Sequence, residues 1–258
     1  PIFASFAGVG VQTEADAERM RQLGCRPEAI RIVGNLKFDA ARLHERPLID
    51  VGALLRQLGV LDGAPILVGG STHAGEETIL ADLFLRLRNQ FPNLFLNSVP
   101  RHFERGKEVG DGLQSRGIKF VYRTQISTTT AHETGEVECL LVNTTGELKY
   151  FYEAASVIFV GKSLTATGGQ NPIEPGALAK AMVFGPNMQN FASIAAAFVA
   201  RQGAIQVKDA AGLEQAIAQL LADPKRRLEL GRNAVKVVQE NLGSIERTVS
   251  MIVQHLGK

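Results

Sequence analysis

The sequence predicts an α/β fold built on a doubly wound parallel sheet, and three observations predict it. Short apolar runs alternate with amphipathic helical stretches from residue 65 to residue 223. The apolar runs hand over to glycine and hydroxyl residues, as at Gly69-Gly70-Ser71-Thr72 and Gly161. The run VIFVG (157–161) is apolar throughout, as a strand buried on both faces must be. Parallel strands share one C-terminal edge, where open sheets place ligands. The segments 69–75, 100–105, 143–148 and 168–174 are therefore expected to gather there.

Composition narrows the function classes. A chain of 258 residues suits one large or two small domains, and 45% hydrophobic residues is ordinary for a globular protein. A net charge of +2 names no polyanionic partner, so nucleic acid is not expected. Cys25 and Cys139 form neither a metal spacing nor a disulfide framework. Buried free thiols in a reducing cytoplasm are expected, with no metal and no cofactor. No apolar run approaches the roughly 18–20 residues of a membrane span, and no signal peptide is visible. A chain starting at Pro1 rather than Met is expected to be processed or truncated.

Taken in order, residues 1–12 predict a short strand, Thr13 a helix N-cap, and the following residues a helix to about Leu23. GVGVQT lacks the third glycine of a dinucleotide fingerprint, so it reads as a turn into that helix. Ile30 to Val33 is a strand, and residues 40–64 are helix then loop with Leu54, Leu55 and Leu58 on one face. Pro65 to Val68 is a strand ending in GGSTHAGEE (69–77). A helix then runs to about Gln90 on the stripe Ile79, Leu80, Leu83, Phe84 and Leu87. Ser71 and Thr72 either cap that helix or present hydroxyls to an anion; no Gly-Lys-Ser/Thr of a Walker loop is present. Leu94 to Val99 is a strand that delivers Arg101 just past its end, where a guanidinium suits a phosphate.

Gly117 to Tyr122 and Val137 to Val142 are strands around a polar segment, 123–136, expected to be a mobile surface loop. Residues 143–148 lead into a helix carrying Tyr150, Phe151 and Tyr152. After VIFVG come Gly168-Gly169, Gln170-Asn171 and Pro172-Ile173-Glu174-Pro175, with a helix start expected at Gly176. Glycines let backbone approach a ligand, and a helix start supplies free N–H groups. Glu174 is either an acid that complements a helix dipole or an acceptor for two vicinal hydroxyls, such as a ribose diol. A strand at Ala181 to Gly185, a helical stripe from Phe191 to Val199, a strand at Ala204 to Val207 and a stripe from Leu213 to Leu221 follow. Two basic amphipathic helices (225–241 and 244–256) close the chain. Their charges read as solvated faces, with a membrane-surface role for Lys225-Arg226-Arg227 as the alternative.

The segment GGQNPIEP (168–175) followed by FGP (184–186) and Asn190-Phe191 resembles the 3-deoxy-D-manno-octulosonic acid (Kdo) transferases. GNLKFD (34–39), GSTHAGEE (70–77), PRHFER (100–105) and NTTGEL (143–148) are similar to further motifs of that family. The departures are Gln170 for the family's histidine, Asn143 for aspartate, Thr145 for methionine and Lys162 for a glycine. Lys162 adds a cation that either contacts the donor or blocks part of the site.

The resemblance implies the donor-binding half of an inverting GT-B glycosyltransferase that moves Kdo from CMP-Kdo to a lipid A precursor, without a metal. The catalytic base would lie on a further N-terminal domain, and the intact enzyme at the cytoplasmic face of the inner membrane. It implies a nucleotide-sugar site made by Lys37, Ser71, Thr72, Pro100, Arg101, Thr145, Gly146, Glu147, Gly169, Asn171, Pro172, Ile173 and Glu174. For Lys37, a solvated linker lysine is the other reading. Residues 1–34 would end the acceptor domain and lead into a linker, 35–242 would bind the nucleotide sugar, and 243–258 would be a closing helix. The alternatives are another GT-B enzyme using a UDP-sugar and a non-catalytic nucleotide-binding module.

Overall fold

The computed structural model describes residues 2–40 and 49–256. The part of the predicted 40–64 helix that falls on residues 41–48 lies outside them. The chain divides into two compact units, Pro1–Glu45 with Val238–Lys258, and Arg46–Val237. These boundaries differ from the 34/35 and 242/243 read from the sequence, and the last helix groups with the N-terminal segment.

In the smaller unit, β1 (Val9–Val11) pairs parallel with β2 (Ile30–Ile32) across α1 (Glu14–Gln22). Thr13 caps α1 as expected and completes a capping box with Asp16, so two otherwise orphaned N–H groups are satisfied reciprocally. Val11, Ala17, Cys25 and Ile30 form its small core. α2 (Leu36–Ala40) meets the start of α11 (Ser244–Leu256) through Asp39, whose carboxylate accepts from the N–H groups of Gly243 (2.7 Å) and Ile245 (2.9 Å).

The larger unit holds seven parallel strands in the order β5-β6-β4-β3-β7-β8-β9. They are β3 (Ile66–Thr72), β4 (Phe95–Pro100), β5 (Phe120–Tyr122), β6 (Cys139–Leu141), β7 (Val157–Val160), β8 (Met182–Phe184) and β9 (Ile205–Gln206). Its helices are α3 (Val51–Gln57), α4 (Glu76–Leu87), α5 (Gly106–Gln114), α6 (Leu148–Ala154), α7 (Ile173–Ala177), α8 (Ala192–Ala200), α9 (Ala210–Ala222) and all but the last three residues of α10 (Pro224–Glu240). One face of the sheet is covered by α4, α5 and α9 over Leu67, Leu96, Cys139, Leu141, Val157, Phe159 and Val183. The other carries α6, against which α3 and α7 pack. All residues of β3, β4, β6, β7 and β8 are buried. That explains why β6, β7 and β8 read as continuous apolar runs rather than alternating ones.

The order has one switch point. From β3 the chain moves toward β4, and from β7 it moves the other way, toward β8. Right-handed crossovers put those connections on opposite faces, which opens a crevice beyond the C-terminal ends of β3 and β7. The doubly wound parallel sheet expected from the sequence is therefore present.

Several local expectations are corrected. Gly69 to Thr72 is not a loop: β3 runs through it with a register shift between Gly70 and Thr72, and Ser71 takes a left-handed φ of 53°. Gly69 and Gly70 serve packing, since their faces abut Leu80 of α4 and Tyr152 of α6; a Cβ on Gly70 would overlap the Tyr152 hydroxyl. Neither Ser71 nor Thr72 caps α4, whose N-cap is Gly75. α7 begins at Ile173, three residues before Gly176, so Glu174 lies inside its first turn. The 123–136 segment is tied down. His132 N–H bonds to the Gln57 carbonyl, Thr124 exchanges hydrogen bonds with Asn143, and Arg123 pairs with Glu147. Arg227 is not part of a basic surface: its guanidinium donates to the Leu220 and Leu221 carbonyls and caps the end of α9. Cys25 and Cys139 are buried and free, as expected, and burial pushes the Cys139 thiol well up.

Candidate functional site

The crevice at the switch point is organised by a residue that the sequence leaves inconspicuous. Glu76, the first residue of α4, is fully buried. One of its oxygens accepts from the N–H groups of His73 (2.9 Å) and Lys162 (2.7 Å), the other from those of Ser163 and Leu164 (2.9 Å each). A single carboxylate thus locks the turn after β3 to the turn after β7. Read from sequence, an acid at a helix start only complements the dipole; its four donors become visible when two distant turns meet.

Further ties complete the frame. Thr165 donates to the Ala74 carbonyl (2.8 Å), and Gly161 N–H to the Gly70 carbonyl (2.8 Å). The buried Ser163 hydroxyl donates to the Val160 carbonyl (2.6 Å) and accepts from Gly185 N–H (2.9 Å), joining the ends of β7 and β8. Arg101 N–H reaches the Thr72 carbonyl (3.0 Å), which sets the end of β4 beside that of β3. Two of the four left-handed non-glycine residues among the described residues, Ser71 and Lys162 (φ 54°), flank this junction. Strain of this kind persists where the surroundings over-determine the backbone.

Most of the expected site residues come together here. Pro100 ends β4, and Arg101 follows with an exposed guanidinium that has no partner among the described residues. Arg105, in the same PRHFER segment, is instead held between the buried Glu77 and Glu108 at 2.7 Å from each. Hydrogen bonding to Glu108 and Glu77 outweighs burial and raises its pKa further. Of these two arginines, Arg101 is the one left for a ligand. Ser71 and Thr72 are buried, and the Thr72 hydroxyl has no hydrogen-bond partner among the described residues. His73 and His102 meet edge to face with ring centroids 5.7 Å apart. Burial, with the charges of Lys162 and His102, holds His73 below its ordinary value against the opposing pull of the Ser71 carbonyl and Glu76.

On the β7 side, Gly168 (φ 117°) and Gly169 (φ 73°) lie against Asn190 and Met188. These glycines fit the turn onto the 187–190 segment. Asn171 accepts from Ile173 N–H (3.0 Å) and donates to Glu174 (3.2 Å), which orients the half-buried carboxylate. Burial pushes the Tyr152 hydroxyl well up, and the Glu174 charge adds to it. Glu174 thereby lies close to the Tyr152 ring that supports Gly70. Pro172 and Ile173 are buried beneath this turn. Gly146 (φ 81°) and Thr145 are exposed, whereas Glu147 is engaged by Arg123 (3.0 Å) and Thr144. Asn143, through its exchange with Thr124 and its closeness to Gly106, secures this turn beside the one after β4. Lys37 lies in the smaller unit, in the first turn of α2. Glu76, Ser163 and the Glu77–Arg105 pair were missed by the sequence reading.

Comparison with known proteins agrees with this picture. Residues 1–40 match a family model described as 3-deoxy-D-manno-octulosonic-acid transferase (kdotransferase). A 3-deoxy-D-manno-octulosonic acid transferase of Haemophilus influenzae is 32% identical over 256 residues, covering 99% of this chain and 58% of the relative. Its counterpart in Bordetella pertussis is 31% identical, over 95% of this chain and 56% of the relative. The chain thus spans rather more than half the length of these relatives. Among solved structures, the C-terminal CMP-Kdo binding domain of WaaA from Acinetobacter baumannii matches with a TM-score of 0.66 and 27% identity. The match covers 80% of this chain and the whole of that domain. The UDP-GlcNAc 2-epimerase of Neisseria meningitidis shares the fold at 14% identity, with a TM-score of 0.59 over 92% of this chain and 60% of that one. By sequence and fold together, this chain is a relative of the 3-deoxy-D-manno-octulosonic acid transferases.

Proposed function

We propose that the chain is the donor-binding part of an inverting Kdo transferase, which moves Kdo from CMP-Kdo to a lipid A precursor in lipopolysaccharide synthesis. The observation that supports this reading is the switch point, where Thr72 ends β3, Arg101 follows β4 and Glu174 opens the helix after β7, with a frame built around Glu76 between the turns after β3 and β7. That set suits an anionic nucleotide sugar. Arg101 takes the phosphate of CMP, and Ser71 and Thr72 supply hydroxyls beside it. Glu174 accepts from the ribose diol, with Gly169, Asn171, Pro172 and Ile173 shaping that wall. The turn at Thr145, Gly146 and Glu147, next to Pro100, meets the cytosine.

In this reaction an acceptor hydroxyl attacks the anomeric carbon of Kdo while CMP departs. The developing negative charge on the leaving phosphate is stabilised by Arg101. The base that takes the hydroxyl proton is assigned to an N-terminal acceptor domain outside residues 35–242. No helix is long and apolar enough to cross a membrane among the described residues. The lipid acceptor supports peripheral association of the intact enzyme with the cytoplasmic face of the inner membrane. The similarity to named Kdo transferases favours this reading over a UDP-sugar enzyme or a non-catalytic module.

Calorimetric titration of the chain with CMP, UMP and AMP in EDTA tests the proposal. Selective CMP binding that weakens on Glu174→Ala is expected. Equal affinity for UMP, or no binding of any of the three, would overturn it.

A further inference from the structure

We propose that Lys162 is a second anion-binding residue of this crevice, its ammonium acting with the Arg101 guanidinium on the acidic groups of the nucleotide sugar. The inference rests on the nucleotide-sugar reading and deepens it. Lys162 is the second residue past the end of β7, on the crevice itself. Both of its backbone polar groups are engaged. Its N–H donates to Glu76 (2.7 Å), and its carbonyl accepts from Gly169 N–H (2.9 Å). The turn therefore directs the side chain, which runs along the glycine-rich loop. A Cβ built on Gly168 would stand 3.5 Å from Lys162 Cε.

The ammonium has no hydrogen-bond or ion-pair partner among the described residues, and neither does the Arg101 guanidinium. Glu76 is committed to its four backbone donors. Lys162 and His73 share one Glu76 oxygen through their N–H groups, and the His73 ring meets that of His102, the residue after Arg101. The Lys162 charge reaches the His73 ring, and through His102 that ring adjoins the segment that carries Arg101. Burial and the neighbouring charges of Lys162 and His102 hold His73 below its ordinary value. A lysine ammonium is a point charge that accommodates a carboxylate or a phosphate equally well, while arginine favours bidentate geometry. Lys162 also sits at φ 54°, where a side chain is strained and glycine is not. An ordinary surface lysine needs no such position; residues held in strain cluster at ligand sites.

The test is calorimetry of the full chain with CMP and with uncharged cytidine, at fixed ionic strength, for wild type, Lys162→Gly and Lys162→Arg. Glycine keeps the left-handed turn, so Lys162→Gly folds, which a urea unfolding curve verifies. CMP is expected to bind Lys162→Gly about tenfold more weakly, cytidine to bind unchanged, and Lys162→Arg to retain most of the CMP affinity. CMP affinity within twofold of wild type in Lys162→Gly would overturn the role of Lys162 and leave the nucleotide reading standing. An equal loss for CMP and cytidine would also overturn it, by showing that the residue shapes the wall rather than pairs with charge. A wild-type chain that binds no CMP would overturn the nucleotide reading, and this inference with it.

Discussion

Replacing Glu76 with glutamine is the sharpest test of how the crevice is held. Each carboxylate oxygen accepts from two backbone N–H groups, one from His73 and Lys162, the other from Ser163 and Leu164. Glutamine keeps one acceptor oxygen and turns an NH2 group toward the other pair, so two N–H donors lose their acceptor whichever way the amide is flipped. An unsatisfied buried polar group costs about 1–3 kcal/mol. Because His73 and Lys162 are half-buried, about 1–1.5 kcal/mol applies to each of the two donors, and Glu76→Gln should cost about 2–3 kcal/mol. For a unit of this size that lowers the melting temperature by roughly 5–10 °C. Glu76→Ala orphans all four donors and should cost on the order of 4 kcal/mol or more. Urea unfolding of wild type, Glu76→Gln and Glu76→Ala reads these differences. A Glu76→Gln variant within about 0.5 kcal/mol of wild type would refute the reasoning, because surface-like substitutions fall in that range.

Three further outcomes are expected. Gly70→Ala drives a methyl into the Tyr152 ring and should destabilise by about 2–3 kcal/mol. Tyr152→Phe removes the nearest atom, so the double variant should recover part of that loss in thermal unfolding; strict additivity would count against the packing assignment. Burial pulls the Asp39 carboxyl up, but the N–H donors of Ile245, Gly243 and Ser244 outweigh it and hold the group below its ordinary value of 3.8. Its stabilisation is therefore full above that ordinary value and lost as the pH falls through the depressed folded value. The gap in unfolding free energy between wild type and Asp39→Asn should be constant from pH 7 to about pH 5 and shrink below about pH 4; a gap unchanged at pH 3 would contradict the assignment. Arg101→Ala should leave the unfolding free energy within about 0.5 kcal/mol of wild type, since its exposed guanidinium has no hydrogen-bond or ion-pair partner among the described residues, while weakening CMP binding by about tenfold or more. A stability loss in urea titration would show that Arg101 is structural.

Much of this molecule was legible in its sequence. A buried parallel strand has no solvent face, so VIFVG could be read without a partner, and the stripe from Ile79 to Leu87 had the period of a helix. The Thr13 cap was legible because its hydrogen bonds close over three residues. Motifs that are contiguous in sequence, above all GGQNPIEP, carried the resemblance that the relatives bear out. Tertiary structure decided the rest, because the interactions involved join residues far apart in the chain. Gly69 and Gly70 looked like a ligand loop, yet their need for glycine comes from Leu80 and from Tyr152, which lies 82 residues beyond Gly70. Arg101 and Arg105 are equivalent as letters; the buried Glu77 engages one and leaves the other free. Glu76 reads as a helix-start acid until the order β4-β3-β7-β8 brings four backbone donors from two turns around it. Local sequence reports backbone preference and burial pattern, while the partners of buried charges are chosen by strand order, which only the folded chain reveals.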